Sequence, residues 1–224
     1  MIALNKIRNI YKITFKIVNL TGLRIGSGQV SIDPTKPDNF VMRWKMNTKE
    51  IVFIPGSTLK GIFRSTIASL TEDSKCDWHD KAPNKENKKE FLEALKNDEV
   101  ILCDECRLFG NGFIQGRLLF NDAICEGDFN ISIRDGVRIR RDTETAEDKG
   151  KYDYEVVDPG CVFNAEITAI NVSEKDLELL QKVKDLINLG VIKIGGLKSR
   201  GLGRCEIKEW KVESLKEAGG SSNV

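Results

Sequence analysis

The sequence predicts an α+β fold: an antiparallel sheet with helices on one face, in the ferredoxin-like arrangement. Three observations predict it. Residues 11–17 and 161–169 alternate apolar and polar at the period of a half-buried strand. Residues 56–72 and 173–190 instead carry apolar side chains at helical spacing. Strands and helices follow one another too loosely for a doubly wound parallel sheet.

The elements follow in order. "YKITFKIVNL" puts Tyr11, Ile13, Phe15 and Ile17 on one face of a strand, and the glycines of "TGLRIGSG" end it in a turn. Residues 29–50, polar and holding two Asp and two Pro, read as a long loop. "IVFIP" is a short buried strand. "GSTLKGIFRSTIASLTE" is a helix with Ser57 as N-cap and Leu59, Ile62, Phe63, Ile67 and Leu70 on one face. From Asp73 to Glu105 the chain turns charged and irregular around one short helix, "KKEFLEALK", as an insertion would. "GRLLFNDAI" is a strand, and residues 131–160 carry weak strand patterns around a polar centre, a protruding hairpin. "CVFNAEITAINV" is a strand. The helix after it has a capping box at Ser173 and Asp176 and Gly190 past its end. A glycine-rich turn leads into a last strand, "CEIKEWKVE", and residues 214–224 form a disordered tail. No tandem repeat is present.

Lys and Arg number 35 against 34 Asp and Glu, so bulk charge cannot bind nucleic acid and any such surface must come from local clustering. No apolar run has the length of a membrane span and "MIALNKIRNIYK" lacks a signal-peptide core, which predicts a cytoplasmic protein that keeps its thiols reduced. Abundant Lys and Glu with scarce Gln agree with a thermophilic source.

Cys76-x-x-His79 and Cys103-x-x-Cys106 offer three thiolates and the only imidazole in two close pairs. Such spacing lets a tight turn present two ligands to one ion, and four protein ligands close a tetrahedral Zn²⁺ shell without leaving room for an activated water. The expected role is structural, stapling the polar insertion. Against it stands the reading of unrelated thiols and an incidental histidine. A zinc deaminase is excluded, since Asp80 follows His79 and Leu102 precedes Cys103. Cys125, Cys161 and Cys205 lie in strand patterns as core thiols.

"GGLKSRGLGR" (195–204) interleaves glycines with Lys198, Arg200 and Arg204. Glycines allow close backbone approach to a phosphodiester and the cations neutralise it. A glycine turn joining helix to strand also needs no ligand, and no Walker loop is present.

In chain order, "IPGSTLKGIFRS" (54–65), "RLFG" (107–110) and "GGLKSRGLGR" resemble the RAMP-superfamily proteins of CRISPR systems. Within that superfamily the chain is most similar to the Csm-type and related backbone subunits of type III effector complexes, from about Ile13 to Trp210. The resemblance implies an RRM-like palm (1–72 and 107–213), an inserted lid (73–106) that carries zinc in some members, and a thumb hairpin (128–160). It also implies partners: guide CRISPR RNA, target RNA, further copies in a filament and other type III subunits, with no membrane.

RNA held along such a protein is gripped mainly through phosphates. The candidates are Ser57 with the amides at its helix start, Lys60 and Arg64 at i,i+4, and Lys198, Arg200 and Arg204. Arg134, Arg138, Arg140 and Arg141 join them from the hairpin. Each alone reads equally well as a solvated charge. Family thumbs wedge between bases of the guide–target duplex; Val137 and Ile139 are the apolar candidates, unless they form the hairpin's own core.

Many family members cut target RNA with a loop aspartate and Mg²⁺ or Mn²⁺. The family pattern, Asp, two residues, Val, matches Asp38-Asn39-Phe40-Val41 except that Phe40 replaces a proline; Asp33 is the second choice. Asp38 after Pro37 also suits a plain turn. The chain is thus expected to be a metal-dependent endoribonuclease acting within its complex. The alternatives are an inactive RNA-binding scaffold and a stand-alone zinc-stabilised RNA-binding protein or ribonuclease. A histidine-dependent processing nuclease is disfavoured, because His79 is committed to metal.

Overall fold

The computed structural model describes residues 6–30, 37, 39–46, 49–71, 76–97 and 99–216. The loop aspartates Asp33 and Asp38 lie outside the described residues.

The α+β expectation holds. Among the described residues eleven strands run β1 (Ile10–Asn19), β2 (Gly26–Val30), β3 (Asn39–Val41), β4 (Arg43–Met46), β5 (Lys49–Ile54), β6 (Leu118–Phe120), β7 (Ala123–Glu126), β8 (Ile131–Ile139), β9 (Ala146–Val157), β10 (Val162–Ile170) and β11 (Cys205–Lys216). The helices are α1 (Gly56–Leu70), α2 (Lys85–Lys96), α3 (Asp104–Phe109) and α4 (Glu174–Leu189). The larger sheet has the order β11-β1-β10-β7-β5-β4. β6 and β7 pair with successive stretches of β10, Thr168 opposite Leu119 and Phe163 opposite Cys125, so together they act as one interrupted strand. With that strand counted once, β1-α1-β6/β7-β10-α4-β11 is the ferredoxin-like βαββαβ unit, its four strands in spatial order four, one, three, two.

Side-chain alternation explains the layering. Ile13, Phe15 and Ile17 of β1 and Phe163, Ala165 and Ile167 of β10 point to one buried face. Leu59, Ile62, Phe63 and Ile67 of α1 and Leu180, Val183 and Ile187 of α4 cover it. Leu70, expected on that face, is exposed at the helix end. The capping box of Ser173 and Asp176 starts α4, and Gly190 ends it in the left-handed conformation.

Three sequence expectations need correction. Residues 29–50 are no plain loop: β3, β4 and the start of β5 fall inside them, and β2 leads in. β3 pairs with β9 and β4 with β5. α1 begins at Gly56 with Pro55 as N-cap and no side-chain cap, so Ser57 sits exposed in the first turn. The Asp122 carboxylate takes the Gly56 N–H at 2.7 Å instead. β11 continues to Lys216, so residues 214–216 are strand and not tail.

The hairpin β8/β9 extends with β2 and β3 into a second sheet of order β2-β3-β9-β8. Inside the insertion Trp78, Phe91 and Val100 make a separate small core, with Phe113 against both rings.

Candidate nucleic-acid interface and metal cluster

The interface is organised by how the hairpin seats on the glycine loop. Tyr152 and Tyr154 of β9 lie opposite Gly136 and Arg134 of β8, hence on one face of the hairpin. Tyr154 and Val156 pack with Leu202 of the glycine loop, joined by Tyr152 and Leu197. Arg200 donates to the Tyr152 hydroxyl. The tyrosines therefore clamp the hairpin to the loop; buried Tyr154 is not a platform for bases.

Two loop glycines are required by close approach of neighbouring backbone. A Cβ on Gly203 (φ +79°) would lie 2.1 Å from the Ile194 carbonyl oxygen, and one on Gly195 (φ +86°) 2.4 Å from that of Arg24.

At this junction Arg134 stands opposite Tyr154 and Arg200 reaches Tyr152, while Lys198 begins the short turn that ends at Arg200. Arg24, which the sequence reading passed over, joins them. Its guanidinium lies 5.8 Å from the centre of the Tyr154 ring, and its buried Nε has no hydrogen-bond partner among the described residues. The available signal was its place between Gly22 and Gly26, the same cation-among-glycines pattern as the later loop. Arg138, Arg140 and Arg141 sit apart, exposed toward the hairpin tip. Val137 (50% exposed) and Ile139 (66%) lie on the other face from the tyrosines with Ile133, so they form no core of the hairpin.

Arg204 does not belong to this group. Its Nη1 and Nη2 donate to the carbonyls of Ile187 and Asn188 at 2.6 Å each, closing the C-terminal end of α4. Arg107 of "RLFG" is likewise structural: it bonds both oxygens of fully buried Asp176 (2.5 and 2.6 Å) and one of Asp104 (2.7 Å).

The residues that follow Asp38 are pinned to β9. Asn39 pairs with Tyr154 in parallel register. Val41 N–H donates to Glu155 Oε2 at 2.9 Å, and Arg43 Nη2 donates to both Glu155 oxygens at 2.8 and 3.0 Å. Glu155, buried and doubly paired, was not singled out in the sequence; a carboxylate in a charged strand gives no local sign of burial.

Lys60 and Arg64 stand on α1, which packs against α3 and α4. Arg64 is 42% exposed, and its Nε donates to Glu105 at 2.6 Å.

The four ligands selected by spacing do converge. The ligand atoms of Cys76, His79, Cys103 and Cys106 all lie within 4.8 Å of one another. A turn carries the first pair, with the His79 N–H reaching the Cys76 carbonyl. The second pair opens α3, where Cys103 is the N-cap and accepts from the Cys106 N–H. His79 Nδ1 is 3.4 Å from both the Cys103 and Cys106 Sγ. Bonds of about 2.3 Å to sulfur and about 2.0–2.1 Å to nitrogen at tetrahedral angles require an N···S edge of about 3.6 Å. The donor set therefore fits a metal such as zinc. Burial and the neighbouring Cys103 thiol push Cys106 up to about 12; burial also raises Cys103. Cys76 is lowered: burial opposes ionisation there, but hydrogen bonds from the backbone at Cys103 and Trp78 outweigh it. Three crowded thiols resist ionising together, and a cation relieves that repulsion.

Among the described residues no helix is long and apolar enough to cross a membrane. Compared with known proteins, residues 16–206 match the family model of the RAMP superfamily. None of the curated proteins matches the chain.

Proposed function

The chain belongs to the RAMP superfamily, whose members are generally CRISPR-associated RNA-binding subunits, and on that premise we propose that it is the repeated backbone subunit of a type III CRISPR ribonucleoprotein. It works in the cytoplasm, lining a guide RNA with further copies of itself and the other effector subunits. The division of labour is a palm (1–72 and 107–213), a zinc-stapled lid (73–106) and a thumb (128–160).

The observation that supports this reading most is the junction of hairpin and glycine loop, where Arg24 lies over Tyr154, Arg134 stands opposite Tyr154 on β8, and Arg200 bonds Tyr152 from the turn that also carries Lys198. Cations from distant stretches on one rigid frame suit a sequence-independent grip on phosphates. Lys60, Arg64 and Ser57 would extend the grip along α1. The Asp122 carboxylate at the helix start weighs against a phosphate capping there. Arg138, Arg140 and Arg141 reach the duplex from the tip, and exposed Val137 and Ile139 serve as its wedge.

Target cleavage is assigned to Asp38, with Asp33 second, assisted by Mg²⁺ or Mn²⁺. The 2′-oxygen attacks the adjacent phosphorus as its proton passes to a base, and the bond to the 5′-oxygen breaks, that oxygen taking a proton from water. The products would carry 2′,3′-cyclic phosphate and 5′-hydroxyl ends. In a reconstituted complex, wild type is expected to cut target RNA at regular intervals and Asp38→Ala to lose the cuts while keeping target binding. Unchanged cuts would move the assignment to Asp33 or another subunit. Tight binding without cuts by either protein would make the chain a scaffold, the outcome favoured if Phe40 in place of proline misplaces the aspartate.

A further inference from the structure

We propose that Glu105 is the positioning residue of the Cys76–His79–Cys103–Cys106 centre and ties that centre to α1, so that metal binding in the insertion also fixes Arg64. This rests on reading the cluster as a metal site.

His79 turns Nδ1 toward the sulfurs of Cys103 and Cys106, 3.4 Å from each. A ring that gives its Nδ1 lone pair to a metal carries its proton on Nε2. Nε2 lies 3.7 Å from Glu105 Oε2, about 0.7 Å beyond an ordinary N–H···O bond. A carboxylate accepting that proton selects the tautomer, holds the ring plane and raises the basicity of the ligating nitrogen. The other Glu105 oxygen accepts from Arg64 Nε at 2.6 Å. The Glu105 side chain is only 14% exposed, so water competes poorly for it.

Glu105 sits between Cys103 and Cys106 in the first turn of α3. Three elements thus meet at one carboxylate: the turn that carries His79, the helix that carries two thiols, and α1 of the main sheet layer. A surface ion pair without this role would leave metal affinity untouched.

The test is Zn²⁺ titration of the full chain against a chromophoric chelator, for wild type, Glu105→Gln and Arg64→Ala. Glu105→Gln is expected to weaken Zn²⁺ binding about 10–100-fold. Arg64→Ala should weaken it in the same direction by a smaller factor, because the carboxylate loses its tether. All three metal-free proteins should be equally folded by circular dichroism at the titration temperature, which separates lost orientation from lost folding. Equal Zn²⁺ affinity in Glu105→Gln and wild type would overturn the proposal. A loss in Glu105→Gln with none in Arg64→Ala would overturn the tie to α1. Failure of wild type to take up Zn²⁺ would overturn the metal site itself.

Discussion

Asp176→Ala is expected to destabilise the protein by about 3–5 kcal/mol, because it leaves the Arg107 guanidinium half-buried without its principal partner. Both Asp176 oxygens are engaged by Arg107, and one also closes the capping box on the Ser173 N–H at 2.8 Å. The substitution therefore removes the main tie between α3 and α4 and the reciprocal half of the capping box, while the Ser173 hydroxyl still accepts from the backbone N–H of residue 176 and Lys175 still reaches Asp104. Urea unfolding at pH 7 measures it; a loss under 1 kcal/mol would mean the pair is not the tie between these helices. The same pair sets a pH response. Burial opposes ionisation of Asp176, but hydrogen bonds from Arg107 prevail and hold its carboxyl below the usual carboxylate range. Asp104 behaves alike, with burial outweighed by Arg107 and Lys175. A depressed folded-state pKa stabilises fully above the unfolded value, about 3.9, and that stability is lost as pH falls through the folded values. The wild-type advantage over Asp176→Ala should therefore be flat from pH 5 to 8 and shrink below about pH 4.

Stripping the metal proposed for the cysteine–histidine cluster is expected to unfold the insertion and spare the main sheet. The insertion's own core is Trp78, Phe91 and Val100. A segment of this size, under about 40 residues, rarely holds itself without a staple. Structural zinc supplies about 10–16 kcal/mol of apparent binding energy in small zinc-finger peptides, far more than three buried side chains can replace. Hydrogen exchange after chelation should show protection lost across α2 and retained in β1, β10 and α1. Trp78, buried against Phe91 and Phe113, should redden its fluorescence. Unaltered protection in α2 would mean the aromatic core suffices alone.

What could be read from the sequence was what is encoded locally. The alternation of Ile13, Phe15 and Ile17, the box of Ser173 and Asp176 and each of the two x-x pairs lie within a few residues, so the signal is complete in a short stretch of chain. The parts that were illegible depend on distant partners. β3 is three residues long and exists because β9 lies beside it. The cap of α1 could not be guessed from "PGS", since its acceptor, Asp122, is 66 residues away. Arg204 looked like its neighbours in the glycine loop, yet the end of α4 sits within its reach and claims its donors. For Arg24 the converse holds: its place between Gly22 and Gly26 is a weak local sign, and its role shows only once Tyr154 is folded against it.

Titrating the protein onto single-stranded RNAs of graded length tests whether it lines RNA as proposed. The number of bound copies is expected to rise stepwise with RNA length, and affinity to be indifferent to sequence and to fall steeply with salt. The triple variant Arg134→Ala, Lys198→Ala, Arg200→Ala should bind all sequences more weakly, its salt slope reduced by about 0.7–1 for each phosphate it no longer neutralises. A chain that stays monomeric and RNA-free, even when co-expressed with its complex partners, would contradict that RNA-lining role.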